Sequence, residues 1–251
     1  SCKVSDDENG DFYLQDLKLA GVDYNQDVAR ETGVTGKCLV MITPDAERSM
    51  NTFLGISESI SNAELHMDAA ANSEYVYLEG YQVTSDSGRQ ATIALRQHAE
   101  ANGVKTAMSL SDPAMVEFFR DGLQEMIGDK VSLLFCNEQE AMGFTQTDTL
   151  EAAAAALKAH ANGFAITLGA KGALVFDGEQ QTMIEPHSVT AIDTNGAGDM
   201  FAGAFLYAIT HGYSYAQAGK LASRASAQVV SQFGPRLRSE QHAEILAEVL
   251  S

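Results

Sequence analysis

The chain has 251 residues, 45% of them hydrophobic, and a formal net charge of -18. This length is sufficient for one large domain with a hydrophobic core of its own. So negative a charge argues against nucleic acid and anionic membranes as partners, because both bind largely through Lys and Arg. The three cysteines form no close pair and no apolar run approaches the length of a membrane span, so we expect a cytoplasmic protein.

The first part of the chain contains a predicted helix and a predicted hairpin. The opening letters "SCKV" suggest the end of a strand, and an acidic turn and an amphipathic helix follow them. "GKCLVMI" and "RSMNTFLG" predict two strands joined by the turn "TPDAE". We expect this hairpin, at residues 35–54, to form a small β flap or lid beside the main sheet.

Short apolar strands then alternate with helices along the rest of the chain. The predicted strands are "YVYLEGY", "VKTAMSL", "VSLLFC" and "FAITLG", followed by a hairpin of "GALVFDG" and "QTMIEP". The predicted helices cover residues 86–102, 112–127, 137–144, 149–161, 197–211, 214–231 and 239–251. Alternation at this spacing predicts an α/β fold, a Rossmann-like three-layer αβα sandwich with a mostly parallel sheet. Residues 1–251 would form a single domain of this class.

The stretch "DTNGAGDMFAGAF", residues 193–205, places glycines and two aspartates at the start of a predicted helix. The backbone N–H groups of Gly196, Ala197 and Gly198 would be among the unpaired donors of that helix N-terminus, which attracts phosphates. The glycines would let a bulky anion approach the backbone. Asp199 would lie at the rim of this anion hole, placed to accept a proton from an attacking hydroxyl. The alternative is an ordinary helix cap.

Two other motifs follow predicted strands. "NEQE" puts Asn137 and Glu140 at the carboxyl end of a strand, where open parallel sheets bind ligands, and such oxygen ligands suit Mg²⁺. On its own this motif is better interpreted as a helix cap with an exposed Glu. "TLGAKG", residues 167–172, is by itself a hairpin turn. Neither a dinucleotide fingerprint nor a P-loop fits the spacing of the glycines.

"DTNGAGDMFAGAF" resembles the C-terminal signature of the ribokinase-like (PfkB) family of carbohydrate and nucleoside kinases, Asp-Thr-x-Gly-Ala-Gly-Asp followed by an apolar helix. The resemblance implies a ribokinase-like fold in which Asp199 is the catalytic base. Residues 196–198 would form the anion hole for the transferring phosphoryl group. Asp193 and Asn195 match positions that hold a monovalent cation such as K⁺ in some members.

The same resemblance implies which residues meet the nucleotide and the metal. Asn137 and Glu140 match the family's Asn-x-x-Glu motif, which lies near Mg²⁺ and the phosphates, often through water. "TLGAKG" resembles the family's Thr-x-Gly-x-x-Gly nucleotide loop, so Thr167, Gly169 and Gly172 would lie along ATP.

Arg48, on the predicted hairpin, resembles an arginine that nucleoside kinases of the family hold near the phosphates. A cation there would offset the charge that spreads over the phosphoryl oxygens. A solvated strand arginine is an equal or better interpretation. The family's N-terminal strands, with a substrate-binding Asp and a Gly-Gly segment, have no counterpart in this sequence.

The resemblance implies an ATP-dependent, Mg²⁺-requiring kinase that phosphorylates a hydroxymethyl group of a nucleoside or sugar. "KCLVMITPDAERSMNTFLG" and the region from residue 193 look most like adenosine-kinase-type members. A sugar kinase of the same family, acting on ribose, fructose or a keto-deoxy sugar, is the first alternative. A nucleotide-binding regulatory protein that has lost catalysis is the second. In each case we expect a small-molecule ligand and a monomer or homodimer.

Overall fold

Two separate sheets contain the strands of the computed structural model, which describes residues 1–46 and 48–250. The first helix, α1 (Glu8–Leu19), begins where the Asp7 side chain accepts a hydrogen bond from the Gly10 N–H. Strands β1 (Lys37–Ile42) and β2 (Arg48–Phe53) then pair antiparallel as a sheet of their own.

This two-stranded sheet confirms the predicted β flap. Glu47 and Ser251 lie outside the described residues. The strand suggested by "SCKV" was wrong, because residues 1–5 form no strand. Instead, the Ser5 N–H donates to Thr35 Oγ1 at 2.9 Å, so a side chain takes the place of a strand partner.

The second sheet has six strands, which lie side by side in chain order. Its first four strands run parallel, and the fifth pairs antiparallel with both of its neighbours, which confirms the predicted mostly parallel sheet. The strands are β3 (Tyr75–Glu79), β4 (Lys105–Ser109), β5 (Val131–Asn137), β6 (Ala161–Thr167), β7 (Ala173–Phe176) and β8 (Gln181–Ile184).

Helices cover both faces of this sheet, as the alternation predicted. They are α2 (Met67–Ala71), α3 (Asp86–Ala101), α4 (Pro113–Ile127), α5 (Glu138–Thr145), α6 (Leu150–Leu157), α7 (Ala197–Thr210), α8 (Tyr215–Val230) and α9 (Ser239–Leu250). Side-chain caps at Ser85, Asp112 and Ser214 fix the starts of α3, α4 and α8. Among the described residues, no helix combines the length and apolar character that a membrane crossing needs.

One helix is shorter than its sequence predicts. The alanine-rich stretch predicts a helix over 149–161, but α6 ends at Leu157 and Ala161 already belongs to β6. Ala161 pairs with Val131 of β5, and the Val131 N–H donates to His160 O at 3.1 Å. Strand pairing in the sheet therefore overrides the helix propensity of alanine at this end.

The hydrophobic core is divided between the two faces of the sheet. Along β5, Leu134 and Cys136 belong to the cluster that includes α3–α6, whereas Leu133 and Phe135 belong to the cluster that includes α7–α9. A strand covered on both faces reads as a continuous apolar run, which explains "VSLLFC".

Phe205 anchors α7 on the sheet. It is fully buried, and its ring meets Phe135 edge-on at 5.7 Å and Tyr215 edge-on at 5.1 Å between centroids. Such aromatic contacts add to the gain from burying the rings. Because Phe205 fixes the helix against the sheet, it also fixes where the N-terminus of α7 points.

We expect Phe205→Ala to lower the free energy of unfolding by about 3–5 kcal/mol, because it leaves a cavity in a closely packed layer. Urea denaturation followed by circular dichroism measures this change. Phe118→Ala is the matched control, since Phe118 is 69% exposed and its loss should change stability by less than about 0.5 kcal/mol. Equal effects of the two substitutions would contradict this role for Phe205.

Candidate active site

Polar side chains end four neighbouring strands at one edge of the six-stranded sheet. Glu79 of β3 lies opposite Ser109 of β4, and Asn137 of β5 lies opposite Thr167 of β6. Open parallel sheets bind ligands beyond the carboxyl ends of their strands. The sequence motifs predict Asn137 and Thr167 at this edge but miss Glu79 and Ser109. A carboxylate directly after a buried strand, in "YLEG", was the available signal.

The loop before α7 is organised by the carboxylate of Asp193, which is only 2% exposed. One carboxylate oxygen accepts a hydrogen bond from the Asn195 N–H at 2.8 Å and the other from the Gly234 N–H at 2.9 Å. Asp193 therefore joins the loop to the segment that follows α8. A cation-binding role for Asp193 and Asn195 remains a prediction.

The two glycines of the loop differ in their surroundings. Gly196 has φ +75°, and a Cβ atom there would lie 2.4 Å from the carbonyl oxygen of Pro235, so only glycine fits. Gly198 is exposed, and a Cβ atom there would meet no heavy atom of another part of the protein within 4 Å. Gly196 is thus needed for the turn, whereas Gly198 leaves open space over the helix start.

Several backbone donors at this helix start have no strong acceptor among the described residues. The Ala197 N–H donates to Thr194 O at a long 3.4 Å. Within the described part of the chain, the N–H groups of Gly196, Gly198 and Asp199 have no backbone acceptor outside the helix and no side-chain acceptor. The N-terminus of a helix with free donors is an attractive environment for an anion.

Asp199 lies in the first turn of α7, and its side chain is exposed. Burial raises the pKa of Glu79, the negative charge of Asp199 raises it further, and a hydrogen bond from Ser111 Oγ at 3.2 Å opposes this. Burial also raises the pKa of Tyr77, with Glu79 and Asp199 contributing. These effects place Asp199 near the polar edge formed by β3 and β4.

Ser111 and Tyr81 also belong to this edge, and the sequence motifs missed both. Ser111 has φ +72°, an unusual value for a non-glycine residue, and its carbonyl oxygen accepts from Tyr81 Oη at 3.3 Å. Burial raises the pKa of Tyr81 to about 12, and Asp112 adds to this effect.

Asn137 and Glu140 form a reciprocal cap at the start of α5. The Glu140 N–H donates to Asn137 Oδ1 at 2.8 Å, while the N–H and Nδ2 of Asn137 donate to the two Glu140 carboxylate oxygens at 2.9 and 2.7 Å. The motif is therefore a helix cap. The helix-cap interpretation expected an exposed glutamate, but the Glu140 side chain is buried, at 5% exposure.

The buried Glu140 carboxylate faces charges of both signs. Burial raises its pKa to about 7 and the negative charge of Asp112 adds to this effect, whereas the Asn137 N–H and the positive charge of Arg48 oppose it. Among the described residues, no three His, Cys, Asp or Glu side chains form a metal-binding group. A Mg²⁺ ion beside Asn137 and Glu140 would therefore take most of its ligands from water and phosphate oxygens, as Mg²⁺ commonly does.

The predicted nucleotide loop connects β6 to β7. It is closed by a hydrogen bond from the Leu168 N–H to Gly172 O at 2.8 Å. Gly172 has φ +92°, and a Cβ atom there would lie 2.0 Å from the carbonyl oxygen of Ile184, whereas Gly169 is open to solvent. The loop is thus a hairpin turn, and strand pairing puts Thr167, at its start, beside Asn137. Contact with a nucleotide remains a prediction.

Arg48 lies close to the loop before α7, although the two are far apart in sequence. Its Nη1 donates to Thr194 Oγ1 at 3.1 Å, and its charge lowers the pKa of Glu140 and Tyr81. The side chain is exposed but not simply solvated. The structure therefore brings the hairpin arginine to the same edge as the other predicted site residues.

Comparison with known proteins identifies the family and the fold of this chain. The model of the pfkB family of carbohydrate kinases matches residues 1–242. A solved probable sugar kinase from Rhizobium etli CFN 42 is 30% identical with a TM-score of 0.94, and the match covers 99% of this chain and 76% of that one. The solved adenosine kinase from Sinorhizobium meliloti is 30% identical with a TM-score of 0.93 and the same coverage of 99% and 76%. The adenosine kinase of Saccharomyces cerevisiae is 27% identical over 95% of this chain and 73% of its own.

The raised pKa of Glu140 predicts a pH dependence of stability. The folded state holds a proton on this carboxyl up to pH about 7, whereas the unfolded chain releases it near the ordinary value of 4.5. The resulting stabilisation is present below pH 4.5 and is lost as pH rises through about 7. We expect the free energy of unfolding in metal-free buffer to fall as the pH rises from 4.5 to above 7. The fall should be about 2–3 kcal/mol larger in the wild type than in Glu140→Gln.

Urea denaturation at several pH values in the presence of EDTA measures this difference. Glu151→Gln is the matched control, because Glu151 is an exposed carboxylate in the first turn of α6. The pH curve of Glu151→Gln should follow that of the wild type. Parallel pH curves for the wild type and Glu140→Gln would contradict the assignment.

Proposed function

The chain belongs to the pfkB family of carbohydrate kinases, which are phosphotransferases with an alcohol acceptor, and we propose that it phosphorylates a hydroxymethyl group of a nucleoside such as adenosine. The observation that carries this proposal is the start of α7. There, free N–H donors and open space at Gly198 lie beside the exposed carboxylate of Asp199.

Binding of ATP at this helix start has to overcome the charge of the protein. At a net charge of -18 the overall field repels a polyanion. A helix N-terminus contributes about 0.3–1 kcal/mol toward an anion at an exposed end. This is too little to hold a triphosphate near Asp199 and Glu140. A divalent cation supplies the remaining attraction, and it makes the neighbouring carboxylates favourable.

Asp199 is the proposed general base. As the acceptor oxygen forms its bond to the γ-phosphorus, the bond from that phosphorus to the β,γ-bridging oxygen breaks and ADP leaves. The hydroxyl proton moves to the Asp199 carboxylate. The free N–H groups of residues 196, 198 and 199 and the guanidinium of Arg48 would face the negative oxygens of the moving phosphoryl group.

The remaining predicted residues have supporting positions on the same edge. Thr167, Gly169 and Gly172 are proposed to lie along ATP, since strand pairing puts their turn beside Asn137. Asn137 and Glu140 would hold Mg²⁺ through water, and the ion would neutralise the phosphate charge. K⁺ near Asp193 and Asn195 is proposed from the family resemblance alone, because both Asp193 oxygens already accept backbone hydrogen bonds.

The acceptor is the finer part of the proposal. The similarity to two adenosine kinases favours a nucleoside, whereas the similarity to the Rhizobium etli protein favours a sugar. Purified protein with ATP and Mg²⁺ should be screened against adenosine, ribose, fructose and a keto-deoxy sugar, with ADP release and the phosphorylated product measured. ADP release that is fastest with a sugar would replace the nucleoside assignment, and nucleotide binding without turnover would favour the regulatory alternative.

Substitution of the two loop glycines should separate ligand access from folding. We expect Gly198→Val to weaken ATP binding at least about tenfold without unfolding the protein, because the new side chain fills the open space over the helix start. Gly196→Ala should instead destabilise the fold, since alanine at φ +75° would collide with Pro235.

Calorimetric titration with ATP and Mg²⁺, with thermal melting alongside, measures both effects. Removal of Mg²⁺ with a chelator should weaken binding to the wild type as well. Tight ATP binding by Gly198→Val, or binding that survives the chelator unchanged, would place the phosphates elsewhere.

Asp199→Asn should lower kcat by about 10²–10⁴-fold, because the amide keeps the size of the side chain but cannot accept the proton. ATP affinity should change little. Steady-state kinetics and calorimetric titration test the two parts separately. Asp148→Asn, an exposed carboxylate between α5 and α6, is the matched control and should retain wild-type turnover. A loss smaller than tenfold in Asp199→Asn would remove this residue from the base role.

A further inference from the structure

The hydroxyl of Thr194 joins the β1–β2 hairpin to the loop before α7. It donates a hydrogen bond to Ala46 O at 3.1 Å and accepts one from Arg48 Nη1, also at 3.1 Å. Ala46 follows β1 in the turn that leads to β2, and Arg48 is the first residue of β2. A single hydroxyl therefore uses its one donor and one of its acceptor sites on the same hairpin.

The conformation of Ala46 is a second indication that this turn is seated on the loop. Ala46 is 3% exposed, although every residue of the adjoining strand β2 is exposed. It also has φ +66°, which is unfavourable for a residue with a Cβ atom and persists where surrounding contacts determine it. The contact with Thr194 is one that holds Ala46 in this conformation.

The two sides of this contact differ in how firmly they are fixed. On one side, Thr194 adjoins Asp193, whose buried carboxylate is bonded to two backbone N–H groups. On the other side, β1 and β2 present mostly exposed side chains, a property of segments that open locally at low cost. The loop is therefore the fixed support, and the hairpin is the part whose position depends on the contact.

The position of the hairpin matters because it carries Arg48. The guanidinium uses one N–H toward Thr194, and its planar fork has further donors available for an anion. Its charge lowers the pKa of Glu140 and Tyr81, so the guanidinium lies near the carboxyl ends of the strands.

We propose that Thr194 is a positioning residue, which holds the hairpin turn in place and keeps the Arg48 guanidinium directed at the anion-binding start of α7. The catalytic consequence rests on the proposed kinase function, whereas the structural contact does not. Loss of the hydroxyl releases the turn, and Arg48 then no longer stays beside the transferring phosphoryl group.

Hydrogen–deuterium exchange of the protein without ligands tests the contact itself. Thr194→Val keeps the shape of the side chain but removes both hydrogen bonds, so the backbone amides of β2 should exchange at least tenfold faster. Thr194→Ser retains the hydroxyl and should restore wild-type exchange. Thr210→Val is the control and should leave the hairpin unchanged. Among the described residues, the Thr210 side chain bonds only to α7 and to His211, which follows it. Unchanged exchange in Thr194→Val would overturn the proposal.

Kinetics test the consequence for Arg48. We expect Thr194→Val to lower kcat at least tenfold with a smaller change in KM for ATP, and Thr194→Ser to restore most of the activity. The double variant Thr194→Val/Arg48→Met should be no slower than Arg48→Met alone, because the hydroxyl acts through the arginine. Additive losses in the double variant would overturn the positioning role. If Thr194→Val exchanges faster as expected but the wild type transfers no phosphoryl group, the proposed function is overturned and the contact remains supported.

Discussion

The candidate site depends on one buried carboxylate, that of Asp193. A buried charge is costly unless it is hydrogen-bonded, and here both carboxylate oxygens accept backbone N–H groups, from Asn195 and from Gly234. The N–H groups of Ile192 and Asp193 also bond to Val230 O at 2.7 and 3.3 Å, at the end of α8. The loop is thus fixed on both sides before α7 begins. The N–H groups of Gly196, Gly198 and Asp199, which follow, have no acceptor outside the helix among the described residues.

The electrostatics of the site follow from this arrangement. The helix donors and Arg48 are proposed to attract an anion. Glu79, Glu140 and Asp199 lie near the same edge, and burial raises the pKa of both Glu79 and Glu140. Without a bound cation, the carboxylates of such a site are in an unfavourable environment. Metal-bound phosphate would suit both parts of such a site, since the N–H donors attract phosphate oxygens and the carboxylates attract a cation.

The sequence predicted those parts of the fold that depend on local pattern. Continuous apolar runs identified the buried strands, and the interruption of the alternation identified the β1–β2 hairpin. The end of α6 was wrong because pairing between Ala161 and Val131 outweighs alanine's preference for helix, a competition that only the sheet reveals. Glu79 and Ser111 were missed because their significance comes from strand pairing: β3 lies beside β4, so Ser111, two residues after the end of β4, donates to Glu79. The burial of Glu140 was likewise invisible, since "NEQE" is the same in an exposed cap and a buried one.

Local sequence patterns do not predict long-range contacts. Nothing in "TPDAERS" indicates that Ala46 is buried, or that its carbonyl meets a threonine 148 residues away. Yet this contact and the helix start proposed to bind an anion share one support, because Asn195 and Thr194 both belong to the loop that Asp193 fixes. The proposed general base lies on α7, and the arginine proposed to face the phosphates lies on the hairpin, which forms a sheet separate from the one that α7 covers. Their relative position is therefore set in the loop between them. A change at Asp193 would disturb the N–H donors, the base and the arginine together, whereas a change at Thr194 would disturb the arginine alone.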